Sequence, residues 1–203
     1  NRQIHVGYNN EPNAEIIDGT GLIAMPGFID IHIHGAMGGD VMDATDDAFQ
    51  QMARALVEEG TTSFLATTMT QTDEAIERVL QNIAKFTSHP TQSQMIGIHL
   101  EGPFINSTRA GAQQQQYMRP ANWLKFQEWQ TLSQSKIKVV TIAPELITDD
   151  FIEQASKEGD VVSAGHTDAT SKQIQNAQQK GLRSITHLYN QMRPFHHREP
   201  GVV

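Results

Sequence analysis

From residue 28 onward, short apolar runs alternate with segments in which apolar residues recur every three or four positions. The apolar runs predict six buried strands, at 28–34, 61–67, 94–100, 137–142, 161–164 and 183–187. The segments with helical periodicity predict five helices, at 46–59, 73–87, 121–132, 149–158 and 171–180. Strands and helices that alternate at this spacing favour βαβ units and a parallel sheet, which is an α/β fold.

Residues 1–25 do not share this alternation. Apolar stretches around Ile4 and Ile16 predict short strands joined by a turn at 9–12, and glycines and prolines then separate this segment from the rest. We therefore expect two parts: residues 1–25 belong to a small β domain, and residues 26–203 form the α/β domain.

Six strands are compatible with two architectures. One is an open doubly wound sheet, and the other is a (β/α)8 TIM-type barrel truncated to about six βα units. Metal-ligand residue types stand at or just after the ends of four predicted strands: His32, His34, Glu101, His166 and His187. In a parallel barrel these carboxyl ends share one face, whereas an open sheet concentrates its site at one switch point. This distribution favours the truncated barrel.

Composition excludes several classes of protein. The 203 residues include no cysteine, which excludes a disulfide framework, a zinc ribbon and a thiol nucleophile. The 23 acidic and 15 basic residues give a formal net charge of −8, which argues against a nucleic-acid partner. No apolar run is long enough to span a membrane. We expect a cytoplasmic protein with neither nucleic-acid nor membrane partners.

The strand-end residues predict a metal site. Side chains two positions apart on a strand point to the same side, so His32 and His34 can offer both imidazoles to one ion. Glu101 adds an oxygen ligand that could bridge two ions. Imidazole and carboxylate ligands suit Zn²⁺ or Fe²⁺, and the ligand types do not separate these metals or one ion from two. Asp30 lies deeper in the same strand, where we expect a structural hydrogen bond, and Asp168 is a candidate helix N-cap or a residue that supports a ligand.

Four segments carry a resemblance to a known family. They read PGFIDIHIHG at 26–35, HLEGPF at 99–104, GHT at 165–167 and THLYN at 186–190. Together they resemble the amidohydrolase superfamily, and the resemblance extends from about Ile16 to Gly201. It implies that Glu101, His166 and His187 hold the main metal ion, that His32 and His34 hold a second ion with Glu101 shared, and that residues 1–25 are part of an accessory β-sandwich domain.

The resemblance also implies a substrate. It points to members that hydrolyse the acetamide of N-acetylglucosamine 6-phosphate to glucosamine 6-phosphate and acetate. Ala112 and Gln113 would line the sugar pocket, and Asn190 and Gln191 would contact the sugar and phosphate. Arg198 would contact the phosphate, including that of substrate bound in the other subunit of a homodimer.

The acid/base group of these enzymes is an aspartate at the end of an eighth strand, which would lie beyond Val203. The resemblance therefore assigns no catalytic acid/base among residues 1–203, and we expect a chain that ended there to be inactive. Two alternatives stay open at this point. One is an amidohydrolase that acts on a cyclic amide, a dipeptide or a different acetylamino sugar, and the other is a non-catalytic metal-binding barrel relative.

Overall fold

The computed structural model describes residues 15, 17–147 and 150–203 of the chain. These residues form eight strands, β1 (Phe28–Ile33), β2 (Gly35–Ala36), β3 (Gly39–Asp40), β4 (Thr61–Thr67), β5 (Gln94–Glu101), β6 (Ile137–Ile142), β7 (Val161–Ala164) and β8 (Leu182–Ile185). Six of them form one sheet in the order β1-β4-β5-β6-β7-β8, and every neighbouring pair in it is parallel. The other two, β2 and β3, form a small antiparallel ribbon.

Helices fill the connections between the strands of the large sheet. They are α1 (Asp46–Glu58), α2 (Asp73–Lys85), α3 (Trp123–Leu132), α4 (Phe151–Glu158) and α5 (Ser171–Lys180). Four of the helices begin where a polar side chain accepts a hydrogen bond from the backbone N–H three residues later, at Thr45, Thr72, Asn122 and Thr170. The predicted alternation of strands and helices is confirmed.

The sheet curls strongly, as the wall of a barrel does. Strands β1 and β8 lie at its opposite edges, five strand spacings apart, which would be about 24 Å in a flat sheet. Yet the ring centroids of His32, on β1, and His187, two residues after β8, are only 5.5 Å apart. Only a curved sheet brings these edges within contact, so the structure agrees with the truncated barrel and not with an open doubly wound sheet.

Several predicted boundaries move by one or two residues. Helix α2 ends at Lys85 because Phe86 is extended and buried, and the Lys136 ammonium donates hydrogen bonds to the terminal carbonyls of Ile83 and Ala84. Helix α3 starts two residues later than predicted because Asn122 caps it. The predicted strand 183–187 ends at Ile185, since His187 adopts a left-handed backbone with φ of 37°.

The N-terminal prediction falls mostly outside the described residues. Residues 1–14 and 16, which include the predicted strand around Ile4, are not described, and residues 17–25 contain no strand. Residues 148 and 149, at the predicted start of the fourth helix, also lie outside the described residues. The accessory β-sandwich domain therefore stays a prediction. Among the described helices, none has the length and apolar character needed to cross a membrane.

An aromatic cluster holds α3 and α4 against the sheet. The ring of Phe151 lies 5.3 Å from that of Phe126 and 5.7 Å from that of Phe104. The ring of Phe104 stacks on Trp129 at 5.7 Å. All four side chains are fully buried, so this cluster fixes the outer wall behind the end of β5.

Truncation of this cluster should destabilise the fold. We expect Phe126→Ala to lower the free energy of unfolding by about 3–5 kcal/mol, because it leaves a cavity among buried rings. Urea denaturation followed by circular dichroism measures the change. Leu124→Ala on the same helix is the matched control, since Leu124 is 71% exposed and should change stability by less than about 0.5 kcal/mol. Equal losses from the two substitutions would contradict the packing described here.

Candidate metal centre

Five ligand-type side chains meet at the carboxyl ends of the strands, as the sequence predicts. Glu101 is the last residue of β5, and its side chain is 1% exposed. His166 and His187 each lie two residues after a strand, and their Nε2 atoms are 3.2 Å and 3.0 Å from Glu101 Oε1. The two Nε2 atoms are 3.1 Å from each other. One oxygen and two nitrogens therefore form a triangle with nearly equal sides.

The size of this triangle fits a metal ion. Ligand atoms at 2.0–2.1 Å from a tetrahedral ion lie about 3.3–3.4 Å apart, and neighbouring ligands of an octahedral ion lie about 2.9 Å apart. The observed sides of 3.0, 3.1 and 3.2 Å fall between these values. Glu101, His166 and His187 can accept one divalent ion with little movement.

The two histidines of the first strand divide between the two oxygens of Glu101. His34 Nε2 is 3.1 Å from Oε2, whereas His32 Nε2 is 3.7 Å from Oε1. The ligand atoms of His32, Glu101 and His187 all lie within 4.8 Å of one another. His32 is thus placed on the same side as His166 and His187, and His34 occupies the other side of the carboxylate.

Backbone carbonyls fix the protonation pattern of three imidazoles. The Nδ1 atoms of His34, His166 and His187 lie 3.1, 2.8 and 3.0 Å from the carbonyl oxygens of Thr67, Arg109 and Asn190. A carbonyl oxygen only accepts, so each Nδ1 carries the hydrogen and each neutral ring has its lone pair on Nε2. Metal-binding histidines show this arrangement, in which the second nitrogen donates to an oriented acceptor.

His99 supports the centre without facing the carboxylate. Its Nδ1 lies 2.9 Å from the Ile31 carbonyl oxygen and 3.3 Å from His32 Nδ1, and its Nε2 lies 2.6 Å from Thr141 Oγ1. Hydroxyl contacts continue from Thr141 to Thr186. Burial lowers the pKa of His99 to about 4, so a neutral ring fills the space behind His32.

The charge of Glu101 and the charges of the surrounding histidines depend on one another. Burial alone would raise the pKa of Glu101. The Nε2 atoms of His166, His187 and His34 donate hydrogen bonds to the carboxylate when these rings are protonated on both nitrogens, which outweighs burial and holds the pKa of Glu101 well below its usual range. Burial opposes the charged forms of His34 and His187 as well, yet the Glu101 carboxylate raises the pKa of both. Burial lowers the pKa of His32 despite the same carboxylate. The site therefore holds an ionised carboxylate that attracts cations.

A salt-bridge network holds the turn that carries His166. Arg109 Nε donates to Asp168 Oδ1 at 2.9 Å, and Arg193 Nη2 donates to Asp168 Oδ2 at 2.6 Å. Asp168 therefore pairs with two arginines, while the cap of α5 is Thr170. The Arg193 guanidinium also donates from Nε to the Asp168 carbonyl at 2.7 Å. The expected structural role of Asp30 is confirmed, since its Oδ1 accepts from the His32 backbone N–H at 2.9 Å.

A cavity of about 300 Å³ opens over the ligands. It is lined by the five ligand residues and also by Ala112, Gln113, Asn190 and Gln191. Its volume is at the lower end of small-molecule sites. Arg198 is exposed and does not line this cavity, so a role for it at the phosphate stays a prediction.

The supporting contacts were not visible in the sequence. The carbonyls of Thr67, Arg109 and Asn190 belong to loops whose path depends on the whole barrel, and backbone acceptors carry no residue signature. The short contacts from Gln113 to Glu101 and from Arg109 to Asp168 also join residues that only the fold brings together.

Comparisons with known proteins agree with this geometry. A curated relative from Lysinibacillus sphaericus, named N-acetylglucosamine-6-phosphate deacetylase, is 45% identical over 189 residues, which are 92% of this chain and 49% of the relative. The enzyme of the same name from Bacillus subtilis is 45% identical over 186 residues, covering 89% of this chain and 47% of the relative. The chain spans about half the length of the curated relatives that it matches.

Solved structures give the same result. A Mycobacterium smegmatis N-acetyl-D-glucosamine-6-phosphate deacetylase mutant, in complex with N-acetyl-D-glucosamine-6-phosphate, superposes with a TM-score of 0.80 at 34% identity, covering 87% of this chain and 46% of that one. The Thermotoga maritima enzyme gives a TM-score of 0.76 at 35% identity, covering 88% and 47%. The model of the amidohydrolase family matches residues 23–200. Because that match includes every strand of the curled sheet and every candidate ligand of the centre, the chain belongs to the amidohydrolase family.

Proposed function

We propose that this protein hydrolyses the acetamide of N-acetylglucosamine 6-phosphate to glucosamine 6-phosphate and acetate, using a divalent metal ion. The observation that carries the proposal is the triangle of Glu101 Oε1 with the Nε2 atoms of His166 and His187. The relatives named as deacetylases of this sugar phosphate supply the substrate class.

An amide bond resists attack by neutral water, so the reaction needs an activated nucleophile and a polarised carbonyl. When bound, a divalent ion supplies both, since it acts as a Lewis acid and lowers the pKa of a coordinated water. Glu101, His166 and His187 would hold the main ion, with His32 beside them and His34 at the other carboxylate oxygen. The three backbone carbonyls keep each Nε2 lone pair directed inward, so the ligands are organised before the ion arrives.

The cavity wall would orient the sugar. Ala112, Asn190 and Gln191 line it, and the Asn190 carbonyl also accepts the hydrogen bond from His187 Nδ1. A substrate that contacts Asn190 would therefore also affect the orientation of the proposed metal ligand His187. Transfer of a proton to the leaving amine needs an acid, for which the resemblance assigns no residue among 1–203. Arg198 is our candidate for the phosphate.

The proposal extends to the identity and the number of the metal ions. The nitrogen and oxygen ligand set suits Zn²⁺ and Fe²⁺ equally. Oε1 of Glu101 faces His166 and His187, whereas Oε2 faces His34. This arrangement supports one main ion at Oε1, with room for a second beside His34. A homodimeric state and a cytoplasmic location stay predictions.

Loss of a ligand should remove the metal. We expect His166→Ala protein to retain far less zinc or iron than the parent after gel filtration, and to lose turnover in the full-length enzyme. Elemental analysis of the eluted protein measures the content. His89→Ala is the control, because His89 is exposed and its ring contacts Thr91, which is not part of the candidate metal centre. Full metal content and activity in His166→Ala would refute the proposed centre.

Metal affinity should fall as the pH is lowered. The carboxylate raises the pKa values of His34 and His187 above their ordinary value of 6.5, so protons compete for Nε2 already somewhat above that pH. We expect the dissociation constant for Zn²⁺, measured by chelator competition, to increase between about pH 8 and pH 6. In Glu101→Gln the affinity should be weaker and the onset of proton competition should move to lower pH. An affinity that is constant over this range would contradict the ligand assignment.

A substrate panel separates the proposal from its alternatives. The full-length enzyme should turn over N-acetylglucosamine 6-phosphate with a higher kcat/KM than N-acetylglucosamine, a cyclic amide or a dipeptide. The reason is that a phosphate adds charge-assisted contacts, which arginine provides well. Preference for an unphosphorylated substrate would favour another amidohydrolase activity. Metal binding without turnover of any substrate would favour a non-catalytic relative.

A further inference from the structure

The loop after β5 contains four consecutive glutamines, Gln113–Gln116, and they do not share one environment. Gln113 is 6% exposed, whereas the next three are exposed. A buried amide is costly unless its donors and acceptor are satisfied, so its partners identify its role. We propose that Gln113 is a positioning residue that fixes the orientation of the metal ligand Glu101. This inference rests on the metal centre of the proposed function and not on its substrate.

Two short hydrogen bonds determine how the Gln113 amide is turned. The backbone N–H of Thr70 donates to Oε1 of Gln113 at 2.7 Å. Because a backbone N–H can only donate, the atom facing it must be the amide oxygen, and the amide nitrogen therefore faces the other way. That nitrogen, Nε2, donates to Glu101 Oε2 at 2.7 Å. The orientation of the amide thus follows from the backbone.

The two carboxylate oxygens of Glu101 have different partners. Oε2 receives the Gln113 amide and faces His34 at 3.1 Å, while Oε1 faces His166 and His187. Rotation of the carboxylate about its last bond would break the hydrogen bond to Gln113, and at 1% exposure of Glu101 no bulk water replaces it. The amide therefore holds Oε1 in the triangle where the main ion would bind.

The same loop supports a second ligand. Gln113 N donates to the Ala110 carbonyl at 2.9 Å, and the neighbouring Arg109 carbonyl accepts from His166 Nδ1. The segment 109–113 consequently contacts two members of the triangle from one side. The amide is engaged at both ends, because its oxygen accepts from Thr70 and its nitrogen donates to Glu101 and lies 3.5 Å from Met69 Sδ. This sets the role apart from the expected lining of the sugar pocket.

The test is a pair of matched substitutions in the glutamine run. Gln113→Met keeps the length of the side chain and removes both hydrogen bonds, and Gln116→Met makes the same change at an exposed position. Zn²⁺ affinity is measured by chelator competition, and the visible spectrum of the Co²⁺ form reports the geometry around the ion. We expect Gln113→Met to weaken Zn²⁺ binding by about 10–100-fold and to alter the Co²⁺ spectrum. Gln116→Met should match the parent in both.

Melting of the metal-free variants separates positioning from folding. If Gln113→Met lowers the melting temperature but leaves Zn²⁺ affinity and the Co²⁺ spectrum unchanged, Gln113 is merely structural and the proposal is overturned. A change confined to KM at saturating metal would also overturn it and return Gln113 to the sugar pocket. Should Gln113→Met not fold, Gln113→Asn, which is too short to reach both partners, takes its place with the same expected loss. Retention of metal by His166→Ala would instead overturn the metal centre itself.

Discussion

The structure depends on one buried carboxylate and the side chains that keep it charged. Glu101 lies at the end of a central strand of the sheet with almost no solvent contact, where an unpaired charge would be strongly destabilising. Imidazoles from both edges of the sheet and one amide from the following loop contact its oxygens. The requirement to surround this group explains why polar residues appear at the ends of otherwise apolar strands.

Curvature of the sheet and formation of the centre are coupled. His32 lies on one edge strand and His187 lies two residues after the other, and these two strands do not pair with each other. Both side chains nevertheless face Glu101. An ion bound between them would connect the two edges and would favour the curled form over any flatter one. Ligand binding that selects one conformation stabilises it by mass action, so metal binding should stabilise the barrel wall as well as prepare the chemistry.

The sequence was sufficient for the parts of the account that follow from local pattern. Periodicity predicts the strands and helices of the parallel sheet, because each strand is a short buried run and each helix has one apolar face. Strand ends also predict that Glu101 and four histidines lie together, because carboxyl ends of parallel strands share one face. The ribbon of β2 and β3 is not predicted, because strands of two residues are too short to show an alternation of apolar and polar positions.

Contacts between distant loops explain the remaining differences. Arg193 pairs with Asp168, and nothing local to either residue indicates that pairing. Gln113 has the same side chain as its three neighbours, and only the path of the loop buries it against Glu101. Such contacts are set by tertiary packing, which spacing along the chain does not encode.

The most direct test of the central claim is anomalous diffraction from crystals of this protein grown with zinc. Data collected on the two sides of the zinc absorption edge locate the ion without reference to any assumed ligand. We predict a peak at coordination distance from Glu101 Oε1 and from Nε2 of both His166 and His187. A peak bound elsewhere, or no peak at these three atoms in zinc-saturated crystals, would contradict it.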